Sequence, residues 1–276
     1  MANSYITNLY KVALKAHLSG DLTLACKNYT KYLGFNQSDT TARYNLALIF
    51  LTQGDFENGL KELDILISQT PQNPEVWFSY GRCLTEQGSP EAAKEYYERA
   101  LALNSAHIAA SLELGACYLA LKNPNKARDI LKKALIYAPK SFEVHSNLGL
   151  INYKLADVDL AIYHFRQAIR ENPQASAQWS NLIYTLHFDN QTSGKDIRRE
   201  AESWASSLPS YPKSLKKMSS DDADRPLRMG FLSNDLREHP VGYFSLGYFK
   251  NHDRKNFKIY VYSKAAMHGL TELLAK

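Results

Sequence analysis

A unit of 34 residues repeats through the first two-thirds of this chain, and no other feature restricts its fold as strongly. Trp77, Ser111, His145 and Trp179 are equally spaced, as are Gly81, Gly115 and Gly149. Two further series, Ala93, Ala127, Ala161 and Ala100, Ala134, Ala168, keep the same interval, and each unit closes near Pro71, Ser105, Pro139 or Pro173. Self-similarity at this period predicts a stack of helix pairs in which each pair buries its apolar face against its neighbours. Such a stack is a scaffold for gripping other chains.

Each unit reads as two helices. Trp77, Tyr80, Gly81 and Leu84 follow i, i+3, i+4, i+7 spacing, one stripe of a first helix, and Ala93, Tyr97 and Ala100 mark the second. Gly81 and Ala93 are small where the two helices are expected to cross closely. Gly20-Asp21 and Gly54-Asp55 fall in the intervening turn, where glycine supplies a left-handed residue that ends the first helix. Pro71, Pro139 and Pro173 stop the second helix, because proline cannot continue it. The pattern resembles the tetratricopeptide repeat. In this register the units run 6–39, 40–73, 74–107, 108–141 and 142–175. A lone first helix over 176–189, with Trp179 and Leu182, is expected to cap the stack without a standard second helix.

Asn45, Asn147 and Asn181 occupy one position of the first helix, on the face expected to be concave. A side-chain amide offers both a donor and an acceptor, so these three are candidate grips for the backbone of an extended peptide. The alternative is that they bond only to neighbouring helices or water.

Composition removes several function classes. With 33 basic and 28 acidic side chains the net charge is +5, without the dense Lys/Arg face of a nucleic-acid binder. Three cysteines, an odd number with no CxxC spacing, argue against a disulfide framework and against a metal site. Cys83 and Cys117 share a repeat position where a small apolar residue packs between helices. The start lacks a basic stretch followed by an apolar run, and no apolar stretch approaches ~18 residues. No membrane partner is expected, and the expected location is the cytoplasm.

Between Asp189 and Arg225 the periodicity dissolves. Ile197, Ala201 and Trp204 suggest one short helix with Trp204 folded back onto the stack, and the remainder of 190–225 reads as a polar linker. From 226 to 276 the period changes. Leu227–Leu232 is a short apolar run typical of a buried parallel strand, and Phe257–Tyr262 is a second. Val241 to Lys250 is expected to be helical, with Pro240 in its first turn. His239 then stands beyond the carboxyl end of the first strand, where open α/β sheets place ligands. The fold class is mainly α, a repeat superhelix followed by one strand–helix–strand unit.

The loop Ser233-x-Asp235-Leu-x-x-His239-Pro240-Val-Gly-Tyr-Phe and the run His252-Asp-Arg…Phe257-x-Ile-Tyr-x-Tyr-Ser263, placed after repeats, resemble the O-GlcNAc transferase family and its bacterial relatives. Ser176–Asp189 also resembles that family's junction between repeats and catalytic region. The resemblance implies a glycosyltransferase that moves N-acetylglucosamine from its UDP derivative to Ser or Thr of proteins, with no cofactor. It implies that 226–276 begins a Rossmann-like lobe, that His239 is the family's active-site histidine, and that Asn45, Asn147 and Asn181 belong to a peptide-gripping ladder. Lys11, Ser79 and Glu113 interrupt that ladder. The family's nucleotide-binding lobe has no counterpart here, so the chain is expected to be inactive alone. The resemblance leaves two alternatives, a shortened member or the front part of a split gene completed by a second polypeptide. A different class of function stays open as well, a repeat adaptor that binds peptides or proteins without catalysis.

Overall fold

The computed structural model describes residues 2–208 and 226–263, so the greater part of the expected linker and the segment 264–276 lie outside the described residues. The chain divides into two compact units, 1–209 and 210–276.

The first unit is twelve helices in six antiparallel pairs. They are α1 Ala2–Leu18, α2 Leu22–Phe35, α3 Thr40–Thr52, α4 Phe56–Gln69, α5 Pro74–Glu86 and α6 Pro90–Leu103, followed by α7 Ile108–Ala120, α8 Pro124–Tyr137, α9 Phe142–Lys154, α10 Val158–Glu171, α11 Ser176–Leu186 and α12 Gly194–Ser207. Local chemistry sets these boundaries. Asp21, Asp39, Asp55, Asn73, Asn123, Ser141, Asp157 and Ser193 each accept a hydrogen bond from a first-turn backbone N–H of the helix that follows. Pro74, Pro90 and Pro124 occupy first turns, where a missing N–H costs nothing.

The turn inside each of the first five pairs requires one residue with positive φ. Glycine fills it at Gly20, Gly54 and Gly88, but Lys122 (φ 55°) and Ala156 (φ 58°) fill it in the fourth and fifth pairs. A side chain in this conformation costs roughly 1–2 kcal/mol, partly offset by the greater freedom glycine would have unfolded. Ala156→Gly should therefore stabilise the protein by about 0.5–1 kcal/mol, read as a higher denaturation midpoint at unchanged slope. A lower midpoint would show that the Ala156 methyl makes compensating contacts.

The core is distributed along the stack. Among the described residues, one buried cluster sits at each junction between pairs, from Leu9–Ile49 between the first two to Ala161–Leu186 at the last. Each pair thus buries its apolar face against its neighbours. Gly81, Gly115 and Gly149 are small for a sharper reason than helix crossing. Each faces the large side chain sixteen residues on, and a Cβ would lie 2.7 Å from the Tyr97 ring, 3.3 Å from Leu131 Cγ and 2.5 Å from the Phe165 ring, respectively.

One expectation is corrected. The short helix expected around Ile197, Ala201 and Trp204 is α12, and with 14 residues, as many as α10, it is a full partner for the sixth first helix, which is therefore no lone cap. Its Ile197 and Trp204 pack on the cluster built around Phe165, Trp179 and Leu182. The loop His187–Ser193 is longer than the turns of the other pairs, which throws the second helix off the 34-residue register, so the period alone does not pair it with α11.

The second unit has β1 Leu227–Leu232, α13 Pro240–Asn251 and β2 Phe257–Tyr262. The strands pair in parallel, with Leu227 opposite Phe257 and Leu232 opposite Tyr262. Phe231 meets Phe249 edge-on at 5.0 Å, which seats α13 on one face. Leu232 is 87% exposed, and Tyr260 and Tyr262 are exposed too. Parallel sheets are ordinarily covered on both faces. What the described residues form is a two-stranded, unclosed sheet, short of a Rossmann-like lobe.

Candidate functional site

The first helices of successive pairs approach one another, α3 to α5, α7 to α9 and α9 to α11. They form the inner face of the solenoid. Contacts across that face are specific: the Tyr44 hydroxyl on α3 bonds to the Ser79 hydroxyl on α5 at 2.8 Å.

The three ladder asparagines lie on α3, α9 and α11, all partly exposed. They differ in what they bond to. Asn45 Nδ2 donates to the Tyr29 hydroxyl at 3.2 Å, so in that unit the asparagine is already held by a neighbouring helix. The side chains of Asn147 and Asn181 have no hydrogen-bond partner among the described residues. Of the interrupting residues, Ser79 is 4% exposed and spent on Tyr44. Beside it, Leu48, Leu51, Phe56, Arg82, Cys83 and Glu86 help to line a cavity of about 270 Å³. Periodicity gave no sign of this cavity, because its walls come from two units. Burial pushes the Cys83 thiol up to about 11, so it remains protonated.

A second recurrent feature is chemical. At the position of Trp77, four units place a side chain that donates to the carbonyl six residues earlier. Arg43 Nη2 donates to Gln37 O at 2.8 Å, Trp77 Nε1 to Pro71 O at 2.9 Å, and Trp179 Nε1 to Pro173 O at 2.9 Å. His145 Nε2 lies 3.0 Å from Pro139 O and must carry its proton to do the same. Its Nδ1 is then an acceptor, so His164 Nδ1, 2.9 Å away, is the donor. Both rings are buried. Burial, with help from His145 and Lys132 and against Asp157, pushes His164 down to about 4.

His239 is the residue before α13, beyond the carboxyl end of β1. Its Nδ1 accepts from the Val241 N–H at 3.3 Å, a helix-capping bond that leaves Nε2 to carry the proton. Nearby, Asp235 and Arg237 approach to 3.8 Å. His239 belongs to the second unit and the asparagines to the first. No cluster of three or more His, Cys, Asp or Glu able to hold a metal exists among the described residues, and no helix among them is long and apolar enough to cross a membrane.

Tetratricopeptide repeat family models match residues 44–106 and 84–151. This is a tetratricopeptide-repeat solenoid protein. The mouse protein BBSome complex member BBS4 is 32% identical to the repeat protein over 133 residues, which is 48% of this chain and 25% of that one. The match thus spans about a quarter of the relative's length. Among solved structures, YrrB, described as a tetratricopeptide-repeat protein with an unusual peptide-binding site, superposes with a TM-score of 0.53 at 18% identity, covering 62% of this chain and 89% of its own. An O-GlcNAc transferase from Thermobaculum terrenum superposes with a TM-score of 0.50 at 25% identity, covering 73% of this chain and 39% of its own.

Proposed function

We propose that this chain is a repeat adaptor that holds an extended segment of another protein along the inner face of its solenoid. The observation that carries this is the pair Asn147 and Asn181, equivalent positions on adjacent first helices, both partly exposed and with no partner for either amide among the described residues. A polar side chain kept on a helix face without a local partner is ready to bond a peptide group, and two in register suit a strand. The likeness to BBS4, named as a member of a complex, and to YrrB, named for its peptide-binding site, points the same way. All three cysteines are free, which fits the reducing cytoplasm.

Losing a hydrogen bond from a side-chain amide to a peptide backbone costs roughly 0.5–1.5 kcal/mol. The double change Asn147→Ala, Asn181→Ala should therefore weaken binding about 10- to 100-fold with the melting temperature little altered. Peptides selected from a library, titrated by calorimetry against both forms, give the answer. Equal affinity for both forms ends the ladder reading, and unfolding of the double variant assigns the asparagines to structure.

A second reading keeps the transferase. It is favoured by the His239-Pro240 loop after β1 and by the match to the Thermobaculum enzyme, at 25% identity over 73% of this chain. On that reading 226–276 begins the catalytic lobe, His239 is its active-site histidine, and a further polypeptide supplies the site for UDP-N-acetylglucosamine. The adaptor expects no labelled product from that donor and peptide. Turnover abolished by His239→Ala would replace the adaptor with the enzyme.

A further inference from the structure

The strongest unexplained surface of the solenoid lies beside the two free amides. Tyr153 on α9, Tyr184 on α11 and Phe188 just beyond α11 form a cluster of three rings, with centroids 5.8, 5.9 and 5.3 Å apart and planes inclined by 60–69°. Packing accounts for Tyr153, which lies against the Phe165 cluster, but not for the other two rings, because Tyr184 is 57% and Phe188 50% exposed. An aromatic ring stabilises a fold mainly through the area it removes from water, and here about half of that area stays wet. Half-exposed rings in mutual contact mark a surface built for a partner.

Position in the repeat ties the cluster to the groove. Leu150 and Tyr184 are equivalent, each three residues after a ladder asparagine, so on each helix they share a face with the amide, about one turn away. Leu150 is exposed as well. A strand whose backbone bonds to Asn147 and Asn181 would thus project side chains onto Leu150 and the three rings. Charge narrows the occupant further. Lys154 follows Tyr153 at the end of α9, is exposed, and forms no ion pair among the described residues. The carboxylate next to Phe188 in sequence, Asp189, is engaged by the Thr192 hydroxyl and the Gln191 N–H. An apolar platform with the unpaired charge of Lys154 at its edge complements an aromatic residue followed by an acidic one.

We propose that the inner face of the fifth and sixth pairs is a subsite for an extended peptide carrying an aromatic side chain next to a carboxylate, the ring seated on Tyr153, Tyr184 and Phe188. The proposal rests on the adaptor reading and deepens it by naming the class of sequence recognised. Edge-to-face contact with the exposed ring faces supplies affinity, and Lys154 supplies the preference for acid.

The test uses the full chain and three fluorescein-labelled twelve-residue peptides of Ser, Thr and Gln, with Phe-Asp, Ala-Asp or Phe-Lys at the centre, followed by fluorescence anisotropy. The Phe-Asp peptide should bind at least 10-fold more tightly than either other peptide, and its advantage over Phe-Lys should shrink with added salt. Tyr184→Ala, Phe188→Ala should remove the advantage of Phe over Ala, with the helical circular-dichroism signal retained. Because both rings are half-exposed, that variant is expected to fold; should it unfold, Tyr184→Ser alone must reproduce the loss. Equal binding of the Phe and Ala peptides overturns the proposal, as does tighter binding of Phe-Lys or no binding of Phe-Asp. Binding that survives the ring variant but is lost in Asn147→Ala, Asn181→Ala keeps the adaptor and sinks only this subsite. Loss in neither variant sinks both.

Discussion

Replacing Gly149 by alanine lowers the melting temperature by several degrees, whereas Gly115→Ala leaves it close to the parent value. At Gly149 the new Cβ would sit 2.5 and 2.6 Å from two atoms of the Phe165 ring. That ring is 1% exposed and is held in the cluster between the fifth and sixth pairs, so it has nowhere to turn. Overpacking of this kind costs roughly 1–3 kcal/mol. At Gly115 the contact is 3.3 Å to Leu131 Cγ, which a flexible side chain can relieve by a few tenths of an ångström. There the gain in helix propensity, about 1 kcal/mol for alanine over glycine, offsets the crowding. Gly81→Ala, facing the Tyr97 ring at 2.7 Å, belongs with Gly149. Thermal melts of the three variants followed by circular dichroism decide the matter. Similar losses at Gly115 and Gly149 would mean that backbone conformation, and not the facing side chain, sets the cost.

Acidification should weaken the fold through the buried histidine pair. His164 is held near 4 in the folded protein against an ordinary value of 6.5, so the folded state resists a proton that the unfolded chain accepts. Its contribution is fully present above pH 6.5 and is lost as pH falls from there towards 4. At one pH unit per 1.36 kcal/mol the full span is worth about 3 kcal/mol. Burial of the His164 ring is the main cause, the neighbouring His145 and Lys132 add to it, and only Asp157 opposes. Denaturant unfolding at pH 7 and pH 5 should show a clear loss at the lower pH. His164→Gln keeps a donor for His145 without titrating, so its loss over the same interval should be much smaller. Equal losses in both proteins would assign the pH dependence to other groups.

The two predictions differ in how much of their basis is visible in the sequence. Gly81, Gly115 and Gly149 announce themselves by spacing, and so do Tyr97, Leu131 and Phe165, which lie one fixed interval further on. That the middle pair is forgiving and the outer two are not depends on ring against branched aliphatic, which is still a local matter. The histidine pair is different. His145 occupies the tryptophan position and looks like a departure from it, and His164 has no counterpart that would draw attention. Their meeting depends on how α9 packs against α10.

The candidate site divides in the same way. Asn45, Asn147 and Asn181 could be lined up from the period alone, because equivalent positions in a regular stack share a face. Which of them is free could not, because Tyr29 reaches Asn45 only when α2 is folded against α3. The helix carrying Ile197 and Trp204 was legible, but its pairing with α11 was not, since a few extra residues in a turn break the 34-residue register while leaving the helix able to dock.

The sequence by itself determined the helix pairs, their number through the fifth and their breaks, because these follow from side chains acting on their own or the next turn of backbone. Tertiary structure alone decided that arginine, tryptophan and histidine at one repeat position do the same work. Each carries an N–H that reaches the carbonyl six residues back, across the boundary between units. Residue type hides that equivalence, since it is the position of a donor in space, fixed by the packing of one pair on the next, that the fold requires.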